Sequence, residues 1–158
     1  MRILGIDPGY GVLGWSVIDK DQKLIDYGTI TTGPAACLDE RLLEIHNKLA
    51  AIIALYKPEF AALEKLFFTR NIKTGIDVAK TMGAIILTLK LHNIGYSEYT
   101  PSQVKQAVTG YGRAGKEQMK LVIKSIFRMT EIPQSDDAAD ALAIALCHSL
   151  RQSHEGRA

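Results

Sequence analysis

The chain has 158 residues, 47% of them hydrophobic and 23% charged, with a formal net charge of +2. That length supports one domain with a sizeable core, and the composition is neither that of a disordered chain nor that of a disulfide-stapled one. No run nears about 18 uncharged apolar residues, the N-terminus lacks a cleavable leader pattern, and Cys37 and Cys147 show no metal-ligand spacing, so a cytoplasmic setting away from membranes is expected.

Arg2–Ile6 is a short apolar run with the length and β-branched content of a buried strand. Asp7 ends it, and Pro8-Gly9-Tyr10-Gly11 supplies a tight turn in which the glycines are expected to provide positive φ. Val12–Asp19 and Lys23–Thr31 continue as strands, giving an antiparallel meander. One carboxylate therefore stands at the lip of a central strand, held as rigidly as a metal ligand or a catalytic acid requires; a simple turn cap is the plainer role. Gly9-x-Gly11-x-x-Gly14 matches the dinucleotide-binding pattern, but a strand follows it, leaving no helix N-terminus for a pyrophosphate.

A helix is predicted over Leu38–Tyr56, with Leu42, Ile45, Leu49, Ile52 and Ile53 inward and Arg41, Glu44 and Lys48 on the opposite side; Lys57-Pro58 stops it. Phe60–Leu63 is another short strand, and it too ends in a carboxylate, Glu64. The next residues, Lys65–Asn71, set Phe67 and Phe68 among basic and polar neighbours, a pattern suited either to core or to base stacking. A second helix spans about 74–92 and is apolar over much of its girth, as an internal or subunit-interface helix would be. Ile94–Tyr99 is a fifth strand. Thr100 or Ser102 caps a short helix reaching about Val108.

After the turn Gly110–Gly115, Lys116–Met129 is amphipathic. Met119, Val122, Ile123, Ile126 and Phe127 face inward, while Lys116, Lys120, Lys124 and Arg128 recur every fourth residue. From Pro101 to Arg128 these bases, with Lys105 and Arg113, face one acid, Glu117. A one-signed stripe suits a polyanion as well as solvent. The last helix begins at Asp136-Asp137-Ala138-Ala139-Asp140. Asp137 and Asp140 share a face, whereas Asp136 is about 100° away and is left out of the candidate site. Acids at a helix start satisfy the macrodipole, but the small alanines let this helix lie tight against a sheet and bring its acids to the strand ends. Residues 151–158 look like a frayed tail after a single domain over residues 1–150.

Four carboxylates, Asp7, Glu64, Asp137 and Asp140, gathered without His or Cys, would repel one another. A hard divalent cation resolves that conflict. An all-oxygen set suits Mg²⁺, or Mn²⁺ in its place, and four carboxylates suffice for two ions about 3.5–4 Å apart, the arrangement used in phosphodiester hydrolysis.

Four words strengthen this reading: GIDPGYGVLGW at 5–15, ALEKLFFTRN at 62–71, PSQVKQAVTGYGRAGKEQ at 101–118 and DDAADALAIALCH at 136–148. With the order of elements they closely resemble the RuvC family of Holliday-junction resolvases, the crossover junction endodeoxyribonucleases, across nearly the whole chain. The resemblance implies an α/β ribonuclease H-like fold: a five-stranded mixed sheet, three strands in an antiparallel meander plus two more, flanked by helices. It implies a homodimer that binds a four-way DNA junction and nicks two like-polarity strands with Mg²⁺ during recombination and repair. A branch-migration helicase complex of the RuvA–RuvB type is the implied partner. Asp7, Glu64, Asp137 and Asp140 match the family's catalytic acids, some members carrying His at the third position. Phe67 and Phe68 match its aromatic segment near the crossover, and Lys105 and Lys116 its basic positions. Arg113, Lys120 and Lys124 extend the DNA-binding set through the stripe. Lys65 departs from the family pattern, which has glutamine after this acid. An RNA-processing nuclease of the same fold and a non-catalytic junction-binding protein are the alternatives; an actin-like sugar kinase would need a second domain.

Overall fold

The structure, a computed structural model, describes residues 1–66 and 72–155, without the side chains of 72–74 and 153–155. Its elements are β1 (Arg2–Asp7), β2 (Val12–Asp19), β3 (Leu24–Thr31), α1 (Leu38–Tyr56), β4 (Phe60–Glu64), α2 (Ile72–Leu91), β5 (Gly95–Tyr99), α3 (Pro101–Thr109), α4 (Lys116–Ile126) and α5 (Asp136–Glu155). The strands form one sheet in the order β3-β2-β1-β4-β5. The β1–β2 and β2–β3 pairs are antiparallel, whereas β4 joins β1, and β5 joins β4, in parallel. This is the mixed sheet expected from the sequence. Among the described residues no helix is long and apolar enough to cross a membrane.

Strand pleating divides the centre of the sheet between two cores. Leu4 and Ile6 of β1, with Leu63 of β4, pack with Ile45, Leu49, Ile85 and Leu89 of α1 and α2. Ile3 and Ala62 point the other way, to Leu142, Ile144 and Leu146 of α5 and to Val104 and Ile123 of α3 and α4. From Ala138 to Ser149 every α5 residue is buried except Asp140. A helix buried all round must lie between two layers, and α5 does, with the sheet beneath and α3 and α4 over it.

Small residues let α5 come so close. A Cβ on Gly5 would lie 2.2 Å from the Ala141 carbonyl oxygen, and one on Gly14 would lie 1.9 Å from the Asp137 carbonyl oxygen. Ser16, directly across from Gly5, donates its hydroxyl to the Ala141 carbonyl at 2.9 Å. Gly14→Ala is therefore expected to push α5 off β2 and lower stability by about 1–3 kcal/mol, as overpacking does; urea denaturation measures the loss.

Several local expectations change. Gly9 does not take left-handed backbone; glycine is needed there because a Cβ would sit 1.8 Å from the Val12 carbonyl oxygen. Arg41, expected on the outer face of α1, is buried instead. Its guanidinium lies 4.3 Å from the Tyr10 ring centroid and its Nε donates to the Ala36 carbonyl, which ties α1 to the turn after Asp7. Helix α4 ends at Ile126, three residues early, because Arg128 adopts φ 50° and the Met129 amide donates back to the Lys124 carbonyl. Arg128 thus leaves the basic stripe. Thr100, not Ser102, caps α3, in a reciprocal box with Gln103. Helix α5 continues to Glu155, past Arg151, where the tail is expected to begin.

Candidate active site

The same pleating that builds the two cores aims two carboxylates at one point. Ile3, Gly5 and Asp7 alternate toward α5 along β1, as do Ala62 and Glu64 along β4. The parallel register pairs Ile6 with Leu63, so one step further Asp7 stands beside Glu64. Their side chains are in hydrogen-bond contact. Across the other edge, Asp7 pairs with Gly14, the glycine on which the first turn of α5 rests. That contact carries Asp137 and Asp140 to the strand ends. The Ser135 hydroxyl accepts from the Ala138 amide and donates to Asp137 Oδ2, both at 3.4 Å, which anchors the turn.

The carboxylates feel one another strongly. Burial pushes the Asp7 carboxyl up to about 8, helped by the charges of Glu64, Asp140 and Asp137 in that order. Glu64 is raised by burial and then by Asp140, against the lowering effects of the Asp7 hydrogen bond and of Lys105. Asp140 is raised by burial first; Lys116 is the largest opposing influence. Asp7 and Glu64 are thus paired at the strand ends, near enough to Asp140 and Asp137 for Asp7 to feel their charges. Among the described residues, no three Asp, Glu, His or Cys side chains are gathered as they stand around one point that could hold an ion. The donor chemistry still fits a hard divalent cation. Every donor is an oxygen, and three of the four acids are held toward their neutral forms by a crowding that a dication would relieve.

A cavity of about 200 Å³ opens beside these acids, lined by Glu64, Asp140, Lys105 and Lys116 with Met119 and Ile144 among its apolar walls. Its two lysines, Lys105 and Lys116, are the two basic positions that the family resemblance implies; Arg113, Lys120 and Lys124 do not line it. The stripe itself is not one-signed. Asp136 accepts an ion pair from Lys116 at 3.2 Å through Oδ2 and another from Lys120 through Oδ1. Counting acids between Pro101 and Arg128 misses this one, because it arrives from the next helix. Lys124 and Lys105 are half-buried and Arg113 is exposed. Phe67 and Phe68 lie outside the described residues. Sequence reasoning missed the role of Gly14: a turn confined to Pro8–Gly11 would set Val12 opposite Asp7, whereas the observed register pairs Asp7 with Gly14.

The sequence matches the family model described as crossover junction endodeoxyribonuclease RuvC over residues 3–148. The chain belongs to the RuvC family. A RuvC relative from Caldicellulosiruptor saccharolyticus is 47% identical over 157 residues, covering 97% of this chain and 95% of the relative. Another, from Petrotoga mobilis, is 50% identical over 151 residues, with 94% and 93% covered. Thermus thermophilus RuvC, solved in complex with a Holliday junction substrate, is 32% identical and superposes with a TM-score of 0.92 over 98% of this chain and 96% of that one. The yeast mitochondrial Holliday junction resolvase Ydc2, at 14% identity and a TM-score of 0.65, shares the fold. The ribonuclease H-like architecture expected from the sequence is thus that of this RuvC-family endonuclease.

Proposed function

We propose that the chain is a Holliday-junction resolvase, a metal-dependent endonuclease that hydrolyses phosphodiesters symmetrically in two like-polarity strands of a four-way DNA junction, in recombination and repair. The observation that carries this reading is the meeting of Asp7 and Glu64 at adjacent strand ends, under the first turns of α5, beside a cavity flanked by Lys105 and Lys116. Asp7, Glu64, Asp137 and Asp140 would hold Mg²⁺, with Mn²⁺ able to substitute and room in the donor count for two ions. The cation supplies activation of water and charge neutralisation at the departing oxygen.

The remaining work falls to the chain. β1 and β4 fix Asp7 and Glu64 on a rigid sheet, and the Gly14 contact fixes the height of Asp137 and Asp140 above it. Burial and its acidic neighbours hold Asp7 toward its neutral form, and it would ligate a cation as the carboxylate. Lys105 and Lys116, which line the cavity, would hold the phosphate backbone at its mouth, while Lys120, Lys124 and Arg113 would extend the contact along the strands. Phe67 and Phe68 are assigned to bases at the crossover by family resemblance.

A second copy of the chain matches the two-fold symmetry of a junction. Ile76, Gly83, Leu87 and Leu91 lie exposed along one face of α2, with nothing within 4 Å of where a Gly83 Cβ would be, and this face supports a homodimer. A helicase partner of the RuvA–RuvB type follows from the family, and the free thiols of Cys37 and Cys147 suit a reducing cytoplasm.

Replacing Lys116 and Lys120 together by Ala is expected to weaken junction binding and to flatten its dependence on log salt concentration by about one to two units. Fluorescence anisotropy at several salt concentrations reads this, and an unchanged slope would remove both lysines from the DNA interface. The reading as a whole is tested on a substrate panel. Cleavage should be confined to a mobile four-way junction and absent on linear duplex. Cleavage only of a structured RNA would make the chain an RNA-processing nuclease, and binding without cleavage a junction-binding protein.

A further inference from the structure

Asp136 touches the proposed site without belonging to its acids. It is the first residue of α5, adjacent in sequence to Asp137, yet its side chain turns away from the strand ends toward α4. There it bridges two ammonium groups four residues apart, using one carboxylate oxygen for each. Lys116 is 67% and Asp136 49% exposed, whereas Lys120 is 17% exposed, so the bridge has one open arm, through Lys116, on the rim of the cavity that Lys116 shares with Glu64, Lys105 and Asp140. A carboxylate spanning two lysines copies what the two non-bridging oxygens of a DNA phosphate would do in the same place. It also reduces the charge offered there, since two lysines and one aspartate sum to +1.

We propose that Asp136 is an internal competitor for DNA phosphate, which occupies Lys116 and Lys120 until a substrate displaces it and so lowers affinity for ordinary duplex relative to a four-way junction. The inference rests on the resolvase reading of the site. Its physical basis is a difference in what each DNA can offer in exchange. The Asp136–Lys116 arm is exposed, and exposed ion pairs are weak, so a well-placed phosphate displaces the carboxylate from that arm first. A duplex meeting the rim with few other contacts must still displace Asp136 or lie against its charge. A junction, held along the rest of its surface, presents phosphates to both lysines at high effective concentration. Asp136 therefore acts as a specificity-determining residue: its presence costs the wrong substrate more than the right one.

The test compares Asp136→Asn with Asp21→Asn, which removes the same charge from the exposed β2–β3 turn. Asp136→Ser serves as a second variant, and thermal melts confirm folding. Binding to a linear duplex and to a four-way junction is followed by anisotropy in chelator at several salt concentrations. Asp136→Asn is expected to tighten duplex binding about three- to ten-fold and to steepen its salt slope by about one unit, with a smaller gain on the junction, so that the preference for junction falls. Asp21→Asn should stay within about two-fold of the parent. Equal behaviour of the two Asn variants, or weaker duplex binding by Asp136→Asn, would overturn the proposal, the latter making Asp136 a residue that merely orders the lysines. A parent protein with no preference for the junction would overturn the resolvase reading instead, which the comparison of variants on duplex does not touch.

Discussion

Asp7→Asn is expected to lower junction cleavage by on the order of 10³-fold or more while leaving junction binding within a few-fold. Asp7 is the hub of the site. It stands beside Glu64 through the β1–β4 register, feels both α5 acids, and lies opposite the glycine that seats α5. Asn keeps the shape and one oxygen but removes the charge a divalent cation needs, and several kcal/mol of transition-state stabilisation correspond to that factor in rate. The lysines proposed to face DNA are on α3 and α4, so binding should survive. Parallel measurement of nicking and of junction binding in chelator separates the two, and a variant that still cleaves at near the parental rate would take Asp7 out of the mechanism.

The same carboxyl makes the metal-free protein sensitive to alkali. In the folded chain Asp7 is raised from 3.8 to about 8, so the native state keeps a proton that the unfolded chain has released. The stabilisation from that proton is complete below pH about 4 and is lost progressively as pH rises toward 8, because across this window the unfolded state binds fewer protons than the native one. A shift of this size corresponds to a few kcal/mol, or very roughly 5–15 °C in Tm for a chain of this length. In chelator, Tm should therefore fall between pH 5 and pH 8.5. Added Mg²⁺ should restore it at the alkaline end by taking the proton's place. Asp7→Asn should melt higher than the parent at pH 8.5 without metal and should lose most of the pH slope. Parallel pH profiles for parent and variant would contradict the assigned origin of the effect. A residue that is costly to stability and indispensable to activity is what a working site is expected to contain.

The backbone framework was legible because apolar periodicity and punctuation agreed. Strands that end in acids at Asp7 and Glu64, the Lys57-Pro58 stop and the Thr100 cap all lie where local chemistry puts them. The juxtaposition of the acids was legible only in outline. Pleating and register prove it for Asp7 and Glu64, but sequence spacing carries no information about how far α5 descends onto the sheet. That height is set by Gly5, Gly14 and Ser16, three small residues contributed by two strands. The basic stripe shows the opposite failure. Its period was correct, yet its charge was misjudged because Asp136 enters from another element and Arg128 leaves the helix through a left-handed residue. Arg41 likewise looks solvent-facing by helical phase and is captured by Tyr10, a residue of the turn far away in sequence. In each case the missing information is tertiary: a partner supplied by a segment the local pattern does not contain.

The measurement that bears most directly on the central claim is strand-specific mapping of cleavage on a synthetic mobile four-way junction, with Mg²⁺ and with chelator. Carboxylates at the ends of β1 and β4 under α5, in the proposed two-fold dimer, predict paired nicks at symmetric positions in two like-polarity strands, with ligatable ends, in Mg²⁺ only. Cleavage that persists undiminished in chelator, or nicks without two-fold relation, would contradict it.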